Sequence, residues 1–305
     1  MKRNLVMRLL ALLMALVIAV PSFNLIRVEA DPTYTDITYD VKYCQTDARS
    51  MLDMINDFRT GSDAWYWNED DTTKTTLTDL SELTYDYALE AAAMQRAAEI
   101  AVYYSHTRPN GSSCFTIYEE TSAYIVTYYI GENIAAGYTS ASAVFEGWQE
   151  TNDNYSGQGH RRNMLSSYFG AVGIACVYYD GVYYWVQEFS YGNSGVAATT
   201  ANDSTTTVTV NVETSSVKSV TLSTDSTSYE MVVGDTIAIP EVSAEISLVS
   251  GWPKGQTHTV DVDADYSISD TSIAQISGSG WLQFQRVQPH LQFQHLVRPL
   301  QFQCR

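Results

Sequence analysis

The sequence predicts an α+β domain followed by a small all-β segment, on three observations. From Tyr85 to Tyr104, the residues Leu89, Ala93, Ala97, Ile100 and Tyr104 recur at steps of three or four, which is one apolar helix face with Arg96 and Glu99 off it. Ala171 to Tyr179 and Val182 to Phe189 are β-rich runs joined by Asp180-Gly181, the dipeptide favoured in two-residue hairpin turns. From Lys218 to about Ile276, short β-rich runs recur between turn residues, the spacing of a small antiparallel sandwich.

Taken in order, residues 1–30 have the layout of a signal peptide. Lys2, Arg3 and Arg8 precede an apolar run from Leu9 to Val20, and Val28-Glu29-Ala30 supplies small residues at the cleavage offsets. That run is shorter than the ~20 residues that cross a bilayer, so the expectation is a secreted, extracellular protein without a transmembrane span. Residues 31–44 read as an N-terminal extension. A first helix runs from about Asp47 to Phe58 through Met51, Leu52 and Ile55, with Gly61 as its C-cap. Another begins near Ser140 and carries Val144 and Trp148. After the hairpin, residues 192–216 become rich in Thr, Ser, Ala and Asn, a linker whose alternating valines at 208, 210 and 212 mark a strand near its end. Residues 281–305 form an aberrant tail in which LQFQ recurs at Leu282, Leu291 and Leu300 and no acidic residue occurs. An altered reading frame accounts for this tail more simply than a genuine interaction repeat, and the β segment is then expected to lack its final strands.

Charge and motifs narrow the function classes. With 35 acidic against 17 basic residues and a formal charge of -18, sequence-independent nucleic-acid binding is disfavoured, because it needs Lys and Arg to neutralise phosphates. Cys44, Cys114, Cys176 and Cys304 contain no CxxC pair, so neither a thiolate zinc site nor a disulfide-dense scaffold is indicated, and their pairing stays open. No GxSxG elbow and no HExxH helix is present.

Only five histidines occur, and two of them stand near carboxylates. His106 follows the 85–104 helix and opens SHTRPNGSSCF; His160 lies in GQGHRRNML. Between them fall GENIAAG with Glu132 and VFEGWQE with Glu146 and Glu150. Two His and two or three Glu in one domain can supply nitrogen and oxygen ligands for zinc or another divalent ion. The alternative is two histidines whose ring N–H groups are satisfied by carboxylates in a polar core.

SHTRP, GENIAAG, VFEGWQE and GQGHRRNML, followed by GVYYWVQEF, occur in the order that resembles the CAP superfamily, also called SCP or PR-1-like, in its bacterial secreted form. The resemblance implies a CAP domain over residues 45–191, a three-layer α-β-α sandwich, and a cleft holding a His-Glu-Glu-His set that binds a divalent metal in some members. Carried over, His106, Glu132 and His160 match the two histidines and the first glutamate. The family's second glutamate usually stands three residues beyond the tryptophan; here Glu150 stands two beyond Trp148 and is preferred to Glu146. Gly131 and Gly137 are expected to permit turns around Glu132, Asn133 to bond the cleft backbone, Arg161 or Arg162 to pair with Glu or cap a helix, and Trp148 and Phe189 to lie in the core.

Residues 217–280 resemble, less specifically, a truncated bacterial Ig-like module of the second type, through VTLS, VGDT and DYSISDTSIAQIS. Two function classes follow. One is a non-enzymatic extracellular binding module with a metal-binding cleft, zinc being the favoured ion and the ligand a cell-wall, glycan, lipid or host-surface group. The other is a metal-dependent extracellular hydrolase, peptidase-like, with a Glu as general base on a metal-bound water.

Overall fold

Asp180 and Gly181 both adopt positive φ, 44° and 81°, and turn β6 (Ala171–Tyr179) back onto β7 (Val182–Ser190), with Tyr179 opposite Val182. This primed turn matches the twist of the paired strands. The computed structural model describes residues 33–121, 123, 129–224, 236–238, 242–251, 257–261, 274–277 and 281–284. The expected signal segment 1–30 and residues 285–305 of the tail lie outside the described residues.

From Ala171 to Val177 every residue of β6 is buried, so both faces of the sheet are covered there. The sheet runs β5 (Ile130–Ala136), β7, β6, β1 (Tyr34–Tyr43), β8 (Thr205–Glu213), all antiparallel, with the short β4 (Thr84–Tyr85) parallel to the start of β6, while β2 (Trp65–Trp67) and β3 (Lys74–Thr76) pair apart from it. Two segments flanking residues 45–191 complete this sheet. The N-terminal extension contains β1, whose alternating Ile37, Tyr39, Val41 and Tyr43 face the core. The linker contains β8, whose Val208, Val210 and Val212 stand opposite Tyr39, Ile37 and Thr35. Each strand is apolar on one face only, and pairing them buries both apolar faces at once.

Helices cover both faces. On one side lies α2 (Tyr87–Val102), started by Asp86, whose carboxylate accepts from the N–H groups of Ala88 and Leu89. Its Ala93, Ala97 and Ile100 pack with Ala175, Val177, Tyr184 and Val186. On the other side, α1 (Gln45–Thr60) and α4 (Ala141–Gln149) bring Met51, Ile55, Phe58, Val144 and Trp148 against Val172, Ile174, Trp185 and Phe189. Trp148 and Phe189 are core residues, as expected. The short α3 (Ile117–Glu120) and α5 (Gly159–Met164) complete this three-layer arrangement. Each large apolar side chain buried here contributes roughly 1.5–3 kcal/mol.

Beyond β8 a single 3-10 turn, Thr214–Ser216, leads straight into β9 (Val217–Thr224). Further strands are β10 (Thr236–Ala238), β11 (Val242–Leu248), β12 (His258–Asp261), β13 (Ala274–Ser277) and β14 (Trp281–Phe284). They form two antiparallel sheets, β12-β11-β9 and β10-β14-β13. The start of the expected aberrant tail is thus a strand, paired with β10 and β13. Nor is this segment tethered loosely: Ala244, Ile246 and Leu248 join the core containing Ile37, Val210 and Val212, and the Tyr179 hydroxyl lies 2.9 Å from His258 Nδ1. Among the described residues no helix is long and apolar enough to cross a membrane.

Candidate functional site

A cavity of about 380 Å³ is lined by His106, Glu132, Glu150 and His160, together with Asn133 and Arg162. Four elements deliver the four groups. His106 follows the end of α2, Glu132 lies on β5, Glu150 is the residue that closes α4, and His160 sits in the first turn of α5. Glu146 is exposed on α4 and is not among the lining residues. Glu150 adopts a left-handed backbone, φ 48°, immediately after the helix. That local reversal brings a carboxylate two residues beyond Trp148 into the cleft, at a conformational cost of about 1–2 kcal/mol for a residue with a Cβ.

The groups meet as two pairs. His106 Nδ1 is 2.7 Å from Glu132 Oε1, and His160 Nδ1 is 2.5 Å from Glu150 Oε1. An ionised carboxylate only accepts hydrogen bonds, so each Nδ1 carries the proton and donates it, which leaves the lone pair on Nε2. The ring contacts are those of the polar-core alternative, but the rings are not in a core: the His106 side chain is 58% exposed and that of His160 33%.

The Glu132 pair rests on a buried ionic floor. Arg96 Nε donates to Glu132 Oε2 at 2.7 Å, its Nη1 to Glu99 Oε2 at 2.6 Å, and its Nη2 to the Ser105 carbonyl at 2.8 Å. Arg108 continues the chain to Glu99 at 2.6 Å and to Glu120 at 2.5 Å. Burial opposes ionisation of Glu132, but the His106 hydrogen bond and the Arg96 charge outweigh it and hold the carboxyl below its ordinary range. Directly across the sheet from Glu132 stands Glu188, fully buried. Tyr118 donates to its Oε2 at 2.8 Å, while Oε1 has no partner among the described residues. Burial, then the neighbouring Glu132 charge, push Glu188 well above its ordinary range and favour its neutral form.

The Glu150 pair rests instead on backbone contacts. Glu150 Oε2 accepts the Arg161 N–H at 3.2 Å. The buried Arg161 guanidinium donates to the carbonyls of Gln149 at 2.7 Å, Asp63 at 2.5 Å and Trp65, and so fastens the end of α4 rather than facing a ligand. Arg162 donates to the Tyr155 carbonyl and does line the cavity. Asn133 donates to the His160 carbonyl at 3.2 Å and to Gln187 at 2.8 Å, as its expected role required, and accepts from Asn163 at 2.8 Å. Gly137 has the positive φ, 89°, of a turn. Gly131 does not turn; a Cβ there would come within 2.8 Å of the Phe169 ring, so close packing accounts for it.

Arg96, Glu99, Tyr118 and Glu188 were not among the expected site residues. The only hint was the i,i+3 spacing of Arg96 and Glu99 on a helix whose other positions are largely alanine. Among the described residues no three His, Cys, Asp or Glu groups are arranged to hold a metal ion. The four-ligand set implied by the resemblance does not fit these contacts, because each carboxylate is already engaged by an imidazole Nδ1 and a second donor. Both imidazoles nevertheless line the one cavity. Metal-bound histidines characteristically donate their other ring N–H to a carboxylate, as both rings do here.

The model of the CAP family, described as the Cysteine-rich secretory protein family, matches residues 52–189. No curated protein matches the chain. Solved structures similar to it include these three. An extracellular protein containing an SCP domain from Bacillus anthracis str. Ames is 21% identical over 48% of this chain and 41% of its own, with a TM-score of 0.37. Schistosoma mansoni venom allergen-like protein 4 is 17% identical over 52% of this chain and 96% of its own, at 0.34. NaASP2, solved with Zn2+, is 17% identical over 53% of this chain and 86% of its own, at 0.36. The chain thus spans about two fifths of the length of the Bacillus protein.

Proposed function

Residues 52–189 being a CAP domain, we propose that this is a secreted, non-enzymatic binding protein whose cleft takes a small polar group or ion at the Nε2 atoms of His106 and His160. The observation that carries this reading is the paired arrangement itself: two imidazoles that both line one cavity, each with its Nδ1 held by a carboxylate. Every lining residue is polar or glycine, which disfavours an apolar ligand. Imidazole donors suit zinc among common divalent ions. His106 and His160 would hold such an ion, with Glu132 and Glu150 behind them fixing the rings. A bound zinc supplies Lewis acidity to whatever shares its remaining positions.

The hydrolase reading has less support, since a general base needs a carboxylate free to accept a proton. Glu132 is committed to Arg96 and His106, and Glu150 to Arg161 and His160. Residues 217–284 are proposed as an Ig-like spacer that presents the cleft domain. Titration calorimetry with zinc is the test. His106→Ala and His160→Ala are each expected to weaken binding at least tenfold with the circular dichroism unchanged. Unaltered affinity in both variants overturns the reading, and turnover on ester, peptide or glycan substrates would favour the hydrolase.

A further inference from the structure

Two thiols outside the cleft lie face to face. Cys44 joins β1 to α1, and Cys176 lies in β6. Tyr43 and Val177 are cross-strand partners, so the next pair along this ladder is Cys44 and Cys176. The Cys44 N–H donates to the Cys176 carbonyl at 2.9 Å. Both side chains belong to the cluster beneath α1, on the same face of the sheet. Directly opposed residues on antiparallel strands have Cα atoms ~4.5–5.5 Å apart, inside the range a disulfide spans. We infer that Cys44 and Cys176 are a redox-active pair that closes to a disulfide when the chain meets a disulfide oxidant.

The two sulfurs differ in the way such a reaction needs. Cys44 is half-buried and Cys176 fully buried. Contact with the Cys176 thiol, against some burial, holds Cys44 below the ordinary thiol value, while burial pushes Cys176 far above it. Cys44 thiolate therefore attacks one sulfur of the oxidant, forming a mixed disulfide and releasing one thiol. Cys176 then gives up its proton and attacks Cys44 Sγ, releasing the second thiol. Two protein thiols are oxidised and one disulfide is reduced. The bond ties β1 to the centre of the sheet and encloses every cleft residue from His106 to His160 in one covalent loop.

The test is oxidation of the full chain with oxidised glutathione, followed by trypsin and mass spectrometry without reductant. Cleavage after Lys42, Arg49, Arg162 and Lys218 places the two cysteines in peptides 43–49 and 163–218. The expected result is those two peptides linked, separated by dithiothreitol, with an apparent Tm about 5–15 °C higher in the oxidised protein. Cys44→Ser abolishes the link and the Tm gain, while Cys304→Ser keeps both. Because Cys176 is buried, Cys44→Ser rather than Cys176→Ser is the deciding variant. Linkage of Cys44 to Cys114 or Cys304, a glutathione that stays on Cys44, or a thiol at Cys44 still alkylated after oxidation would each overturn the inference.

Discussion

The two sides of the cleft present the same imidazole–carboxylate contact on opposite foundations. Behind His106, Glu132 is fixed by the Arg96 guanidinium, itself part of a buried chain of charges through Glu99 and Arg108. Behind His160, Glu150 is fixed by main-chain geometry: a left-handed residue at the end of α4, a backbone N–H from Arg161, and carbonyls collected by the Arg161 side chain. The first side depends on charges kept in balance away from water, the second on backbone groups kept paired. Removing one charge from a buried network leaves another uncompensated, whereas removing a donor from carbonyls leaves orphaned acceptors, which costs less.

Substituting the two arginines exposes that difference most strongly. Arg96→Ala is expected to destabilise the fold by about 3–5 kcal/mol, because Glu132 stays buried without its cation and Glu99 keeps only Arg108. Arg161→Ala is expected to cost about 1–3 kcal/mol, the penalty of unpaired carbonyls. Urea denaturation of both variants measures the gap, and equal losses would mean the two foundations are not distinct.

A smaller effect separates the two glutamates that face each other across β5 and β7. The depressed Glu132 contributes stability that is present above its ordinary value of 4.5 and lost as pH falls below it. Glu188 works the other way. The folded chain keeps a proton that the unfolded chain gives up above 4.5, so stability declines as pH rises from there towards the folded-state value. Glu188→Gln keeps a neutral polar side chain of the same shape and removes the titrating group. The variant is expected to be more stable than the parent at pH 7, with the two converging below pH 4.5. Thermal melts from pH 3 to 8 measure this, and a stability gap that does not widen between pH 4.5 and 8 would contradict the raised Glu188 carboxyl.

Much of this was legible in the sequence where the signal is local. The Asp180-Gly181 hairpin, the α2 periodicity and Ser140, which starts α4 by accepting from the Ala143 N–H, all depend on neighbours within a few residues. The partnership of β1 with β8 joins segments at opposite ends of the domain, and no short-range pattern announces it, although both strands alternate openly. For the site, motif order names four residues that line one cavity, but spacing does not say which atoms face each other. Nor does helical periodicity distinguish a polar position in water from one in a buried ionic floor, which is why Arg96 and Glu99 lie inside rather than off the packed face.

The central claim is that carboxylates set both imidazoles with Nδ1 protonated and Nε2 open to the cleft. Proton–nitrogen correlation NMR of the histidine side chains, in metal-free protein at alkaline pH, reads that directly. The account predicts the Nδ1–H tautomer for both His106 and His160, lost at His106 in Glu132→Gln and at His160 in Glu150→Gln. Predominance of the Nε2–H form at either ring in the parent protein would contradict it.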